Sequence, residues 1–190
     1  MQINIPNALT ILRICLIPVL VAVFYVPVHN HLVVAAAIFA GAAVTDWFDG
    51  YLARRLGQTT AFGAFLDPVA DKLMVAVALV LLVERHDTQL LTLAACVIIG
   101  REIVVSALRE WMAELGARTS VAVSYVGKVK TAFQMVAITA LLAIDPDTHE
   151  SWLLALSYVV LYVAAVLTLW SMFIYLKAAW AVIKEQDKSI

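Results

Sequence analysis

With 190 residues the chain has room for one domain, and 64% apolar residues with a mean hydropathy of +0.94 lie far outside the range of soluble globular proteins. A formal net charge of −1 gives no strongly basic surface, so no nucleic-acid partner is expected. Cys15 and Cys96 both fall in apolar runs, which argues for packing residues and against a disulfide or a zinc site. The composition is that of an integral membrane protein.

Runs of about 20 mostly apolar residues suffice to cross ~30 Å of hydrocarbon at ~1.5 Å per residue. In chain order they predict six spans, at roughly 12–28, 32–52, 67–83, 90–111, 128–144 and 152–177. The connections are short and polar, without a Gly/Ser-rich linker or internal repeat, so a single all-α membrane domain over 1–190 is expected. The opening MQINIPNALTILR lacks a basic segment ahead of a short apolar core, so the first span is expected to be retained.

Charge sets the orientation. With the N-terminus in the cytoplasm, Arg13, Arg54, Arg55, Arg109, Arg118, Lys128, Lys130, Lys177, Lys184 and Lys188 fall on the cytoplasmic side and only Arg85 falls in an outer loop. Both termini are therefore expected in the cytoplasm. The four histidines, His29, His31, His86 and His149, fall in the outer loops and read as solvated loop residues. Trp111, Trp152 and Trp180 fit interfacial anchors, and the tail after 178 fits a short amphipathic end against anionic lipid.

Against this background TDWFDGYLARR, residues 45–55, and GAFLDPVAD, residues 63–71, are anomalous. An aspartate at the centre of a membrane helix costs about 2.5–3.5 kcal/mol on insertion scales, so four cannot face lipid. At 100° per residue, Ala42, Asp46, Asp49, Gly50 and Ala53 share one side of the second span, while Gly63, Asp67 and Asp71 follow at i, i+4, i+8. The loop between them is short, so the two helices are expected to face each other. Four carboxylates in one space repel unless cations are present. Hard oxygen ligands without nearby Cys or His favour Mg²⁺, Mn²⁺ or Ca²⁺, and four of them suit a two-metal site that clamps a phosphoryl substitution. Asp46 with Arg54 also reads as a structural ion pair, and buried carboxylates are equally typical of a cation transporter or proton relay, which leaves Gly50, Arg54 and Gly63 unexplained.

Taken together, Asp46-x2-Asp49-Gly50-x2-Ala53-Arg54-x8-Gly63-x3-Asp67-x3-Asp71 resembles the signature of the CDP-alcohol phosphatidyltransferases at all eight specified positions. The resemblance implies six membrane helices, a cavity open to the cytoplasm, a homodimer in the inner (cytoplasmic) membrane, and two divalent cations, Mg²⁺ or Mn²⁺. It implies that Asp46, Asp49, Asp67 and Asp71 ligate the metals, that Asp46, Gly50, Ala53, Arg54 and Gly63 hold the CDP moiety, and that Asp71 is the general base. The N-terminal PNALTILR resembles a further family element on a short surface helix, about 5–17, ahead of the first span, with Pro18 as the joint. On it Asn7, Thr10 and Arg13 share a broad face as accessory site residues, Asn7 also reading as a helix cap and Arg13 as an interfacial anchor.

The signature fixes the donor and leaves the acceptor alcohol open. Around the fourth span, Arg101, Arg109, Arg118, Lys128 and Lys130 gather at one cytoplasmic corner, which suits an acceptor bearing a phosphomonoester. Glu102, Glu110 and Glu114 offer pairing partners to some of these, and part of the cluster also reads as a lipid-facing basic patch. Arg101 lies deepest, where an unpaired cation is costly. REIVVSALREW and VGKVKT resemble the corresponding segments of family members that use glycerol 3-phosphate. The expected reaction joins CDP-diacylglycerol to sn-glycerol 3-phosphate, giving phosphatidylglycerol phosphate and CMP. The alternatives are inositol phosphate, phosphatidylglycerol or serine as acceptor and, from another class, a divalent-cation transporter.

Overall fold

The computed structural model describes residues 5–56, 60–116, 125–147 and 152–186, with side chains except at 5–6, 47–56, 61, 64, 125–128, 183 and 185–186. The described residues form six helices: α1 (Ile5–Tyr25), α2 (His31–Leu56), α3 (Ala61–His86), α4 (Gln89–Glu114), α5 (Tyr125–Ala143) and α6 (Trp152–Gln186). They contain no strand. Three stretches are long and apolar enough to cross a membrane, Asn7–Tyr25, Gln89–Glu114 and Trp152–Val182, while His31–Asp46 and Val129–Ala143 are shorter apolar helices. This is the make-up of a helical membrane protein.

One expected boundary is corrected. The surface helix and the first span are one unbroken helix, α1, with Pro18 inside it rather than at a joint. A proline removes one backbone bond, a loss that membrane helices absorb by local adjustment. α6 runs on through Gln186 and takes in residues 178–186 of the tail; its 35 residues reach about 52 Å at 1.5 Å per residue, well beyond one hydrocarbon thickness.

The helices close into a ring in the order α1, α2, α5, α6, α4, α3 and back to α1. Consecutive α2 and α3 touch sparingly, and α1 packs more extensively against each than they do against one another. The short loop does not make them partners, because α1 wedges between them. Small residues make the close packing feasible: Ala35, Ala36 and Ala42 of α2 and Ala70 and Ala78 of α3 are buried. Leu20, Phe39, Leu79, Leu82, Leu91, Ile98, Ile138, Leu141 and Leu161 fill the interior beside them. Leu90, Leu93, Val136, Val166, Trp170 and Phe173 point outward, as lipid-facing side chains do.

Capping fixes where α3 begins. Thr60 is the N-cap, its side-chain oxygen accepting from the Gly63 amide at 3.0 Å. α3 therefore starts before Asp67, and places Asp67, Asp71 and Lys72 on its early turns.

Candidate active site

The acidic residues that were unaccountable on single helices converge once the ring is closed. Asp46 from α2 and Asp67 and Asp71 from α3 line one cavity of about 340 Å³. Its other walls come from Glu102 and Arg109 on α4 and Thr131, Gln134 and Met135 on α5, with Lys72 and Val75 beside the aspartates. The carboxyl groups of Asp46 and Asp71 are 41% and 40% exposed, so both present oxygen to a ligand.

The residues holding these carboxylates in place come from α1. Arg13 is 1% exposed, and its Nη1 lies 3.0 Å from Asp46 Oδ1 and 2.5 Å from Asp71 Oδ1. One guanidinium nitrogen thus ties an oxygen on α2 to an oxygen on α3. One turn earlier the Thr10 hydroxyl donates to Asp67 Oδ1. A further turn back, Asn7 Oδ1 accepts from the Thr60 hydroxyl at 3.0 Å. Asn7, Thr10 and Arg13 stand at i, i+3, i+6, so one face of α1 reaches Asp67 and the Thr60 cap on α3 and joins Asp46 to Asp71. All three are buried.

Gly63 belongs to the same contact. A Cβ there would lie closer than 3.0 Å to Asn7 Oδ1, so α1 occupies the space that a side chain would need. The missing side chain serves helix approach. Gly50, Ala53, Arg54 and Asp49 lie on the last turns of α2, with side chains outside those described. Arg118 lies outside the described residues, and of Lys128 only the backbone, on α5, is described.

The basic cluster divides in two. Arg109 lines the cavity. Arg101 and Lys130 are buried and turned to Glu102: Arg101 Nη1 donates to Glu102 Oε1 at 3.0 Å and Lys130 Nζ to the same oxygen at 2.6 Å. Arg101 Nη2 also donates to Ser171 Oγ at 2.9 Å, and its guanidinium sits 5.5 Å from the centre of the Tyr175 ring. Glu102, which lines the cavity, links both cations to it. Lys72, also in the wall, donates to Ser106 Oγ at 2.5 Å. Lys72, Ser106, Thr131 and Gln134 were not singled out by the sequence. Lys72 adjoins Asp71, and Gln134 falls one turn after Lys130, the spacings by which these two could have been found.

The donor set fits a hard divalent cation: carboxylate oxygens from α2 and α3 open on one cavity, with no cysteine or histidine among its described lining residues. Among the described residues, no three His, Cys, Asp or Glu side chains close on a single point as a metal's ligands do. Arg13 stands between Asp46 and Asp71 instead.

A family model described as CDP-alcohol phosphatidyltransferase matches residues 3–183. The chain belongs to the CDP-alcohol phosphatidyltransferase family, and it is an enzyme of that class. Among its relatives is a protein of Yersinia pestis (strain Pestoides F) named CDP-diacylglycerol–glycerol-3-phosphate 3-phosphatidyltransferase, 59% identical over 181 residues that cover 95% of this chain and 97% of the relative. Proteins of the same name from Yersinia enterocolitica (59% over 180 residues, 95% and 97% covered) and Shigella flexneri serotype 5b (56% over 186 residues, 98% and 100% covered) are similarly close.

Proposed function

We propose that the protein transfers the phosphatidyl group of CDP-diacylglycerol to sn-glycerol 3-phosphate, releasing CMP and leaving phosphatidylglycerol phosphate in the membrane. The carrying observation is the single cavity that brings Asp46, Asp67 and Asp71 opposite Glu102, Arg109 and Gln134. One wall is suited to a pyrophosphate donor and the other to a polar, anionic acceptor. Relatives that match almost end to end carry the name of this reaction.

Asp71 is the general base. Its carboxylate takes the proton from the terminal hydroxyl of the acceptor as that oxygen attacks the phosphorus bearing the diacylglycerol, and the bond from that phosphorus to the CMP oxygen breaks. Arg13 orients this carboxylate and Thr10 that of Asp67, so both are placed before substrate arrives. Asp46, Asp49, Asp67 and Asp71 would hold divalent cations, Mg²⁺ or Mn²⁺, which when bound neutralise the pyrophosphate and stabilise the leaving group. Arg109 attracts the acceptor phosphate, supported by Arg118 and Lys128, and Arg101 and Lys130 set the position of Glu102. Gly50, Ala53 and Arg54 follow Asp46 on α2 and serve the CDP moiety.

The six helices act as one domain and cross the inner membrane of the cell with both termini and the cavity on the cytoplasmic side, the chain working as a homodimer among membrane lipids. The excess of Lys and Arg near that side supports this orientation.

The reading is tested by giving the purified protein CDP-diacylglycerol, Mg²⁺ and a panel of acceptors and measuring CMP. Release with glycerol 3-phosphate, and not with serine or inositol phosphate, is expected. Release with another acceptor alone would reassign the substrate, and metal flux in sealed vesicles without CMP release would replace the enzyme by a transporter.

A further inference from the structure

The α5 wall of the cavity holds a polar group that the reaction above does not use. Gln134 is 3% exposed, and its Oε1 is fully buried with no hydrogen-bond partner. The residue one turn earlier on the same face, Lys130, is as deeply buried but has its Nζ on Glu102 at 2.6 Å. A buried amide oxygen without a donor is disfavoured, and such groups in native proteins are normally satisfied. Gln134 lines the cavity shared with Asp71, Glu102 and Arg109, so an occupant of that cavity is the natural source of the donor.

The chemistry of the occupant narrows the choice. Phosphate and pyrophosphate oxygens offer only acceptors at neutral pH, so they leave Gln134 Oε1 unsatisfied. A hydroxyl both donates and accepts, and satisfies the amide in either orientation. The reaction assigned above gives the cytidine side of the donor to residues of α2, which leaves the α5 wall to the acceptor. The terminal hydroxyl of the acceptor must face Asp71 to react. Resting on the reaction assigned above, we infer that Gln134 receives the second, unreacting hydroxyl of the acceptor and selects a vicinal diol phosphate over a simple hydroxyalkyl phosphate. The last torsion of the side chain is soft, which lets the amide reorient toward an occupant of the cavity.

A site that hydrogen-bonds a substrate hydroxyl rejects the analogue lacking it, because the protein's polar group is then left buried and unpaired. The test compares glycerol 3-phosphate with 3-hydroxypropyl phosphate, which has a hydrogen in place of the second hydroxyl, by kcat/KM for CMP release in the full-length enzyme. The wild type is expected to prefer glycerol 3-phosphate at least about 10-fold. Gln134→Met and Gln134→Ala are expected to bring that ratio to within about 3-fold, chiefly by raising KM for glycerol 3-phosphate, while Gln134→Glu, which keeps an acceptor, retains the preference. Because the ratio is read within one preparation, partial loss of folded protein in a variant cancels. A wild type indifferent to the second hydroxyl, or Met and Ala variants that keep the full preference, would overturn the inference while leaving the reaction standing. No CMP release from the wild type with glycerol 3-phosphate would overturn the reaction itself.

Discussion

Two arginines in this molecule each bridge a pair of aspartates, at opposite ends of α3. Arg13 is 1% exposed and holds Asp46 and Asp71; Arg85, at the far end, is 34% exposed and holds Asp145 at 2.7 Å and Asp147 at 3.8 Å. The distance between them, from Asp71 to Arg85 along the helix, is about 21 Å at 1.5 Å per residue. The outer bridge joins the end of α3 to the chain after α5 and is solvated, which makes it weak and salt-sensitive. The inner bridge takes a cation out of water and sets it against carboxylates that face a cavity. Desolvating an ion pair gains little for stability, so the inner bridge is explained by what it positions.

The largest effect falls on Asp71. Asp71→Asn keeps an oxygen for Arg13 to donate to but removes the base, so CMP release is expected to fall about 10²–10⁴-fold with thermal unfolding nearly unchanged. An Asn variant with wild-type turnover would refute the assignment. Arg13→Met comes next. It removes the tie between α2 and α3, and misplacing reacting groups by ~1 Å costs about 10²-fold in rate. Asp46 and Asp71 remain solvated through the cavity, so the loss in unfolding temperature should be smaller than the loss in turnover suggests. An Arg13→Met protein that unfolds early but, while folded, turns over normally would make this bridge no different in kind from that of Arg85.

A third effect of middle size probes the close approach of α1 and α3. Gly63→Ala puts a methyl group into Asn7, and overpacking of this kind costs about 1–3 kcal/mol. The clash is with one side chain, so adding Asn7→Ala to Gly63→Ala should recover most of the stability, read as thermal unfolding of the four proteins in a double-mutant cycle. Additive losses would mean that Gly63 is small for another reason, such as a bound nucleotide.

These residues also mark how far the sequence was legible. The spacing of Asp67 and Asp71 sets them on one face of their helix, because i, i+4 periodicity is a local property, and in the bundle that face lines one cavity with Asp46. That Asn7, Thr10 and Arg13 share a face was equally readable, but their partners lie 53 to 58 residues away for the hydrogen bonds of Thr60, Asp67 and Asp71. Those pairings depend on α1 wedging between α2 and α3, which no local pattern encodes. The short 56–61 connection suggested the opposite, that α2 and α3 pack face to face. Pro18 read as a joint because proline breaks isolated helices, whereas packing on both sides carries α1 through it. Arg101 reads from the sequence as a phosphate ligand because an unpaired cation deep in a span is costly; its contacts with Glu102, Ser171 and Tyr175 are set only by the packed bundle, which leaves its Nε buried without a partner. Gln134 drew no attention, since only the packed bundle shows that its amide lacks a partner.

The smallest effect belongs to the outer bridge and sharpens the contrast by its weakness. Burial pushes the Asp145 carboxyl up, but the Asp147 amide and the Arg85 guanidinium pull it down further, so the group lies below its ordinary value. A carboxyl depressed in the folded state contributes stability above its unfolded pKa and loses it as the pH falls through the folded value. Asp145→Asn should therefore cost no more than about 0.2–1 kcal/mol near neutral pH, and the difference from wild type should vanish on acidification below the carboxylate range. High salt should shrink it as well, since this pair is open to solvent. CMP release should stay at the wild-type level throughout, because none of the described residues at this end lines the cavity. A fall in turnover in Asp145→Asn, at constant stability, would show that the two ends of α3 are coupled and that the outer bridge is more than a surface clasp.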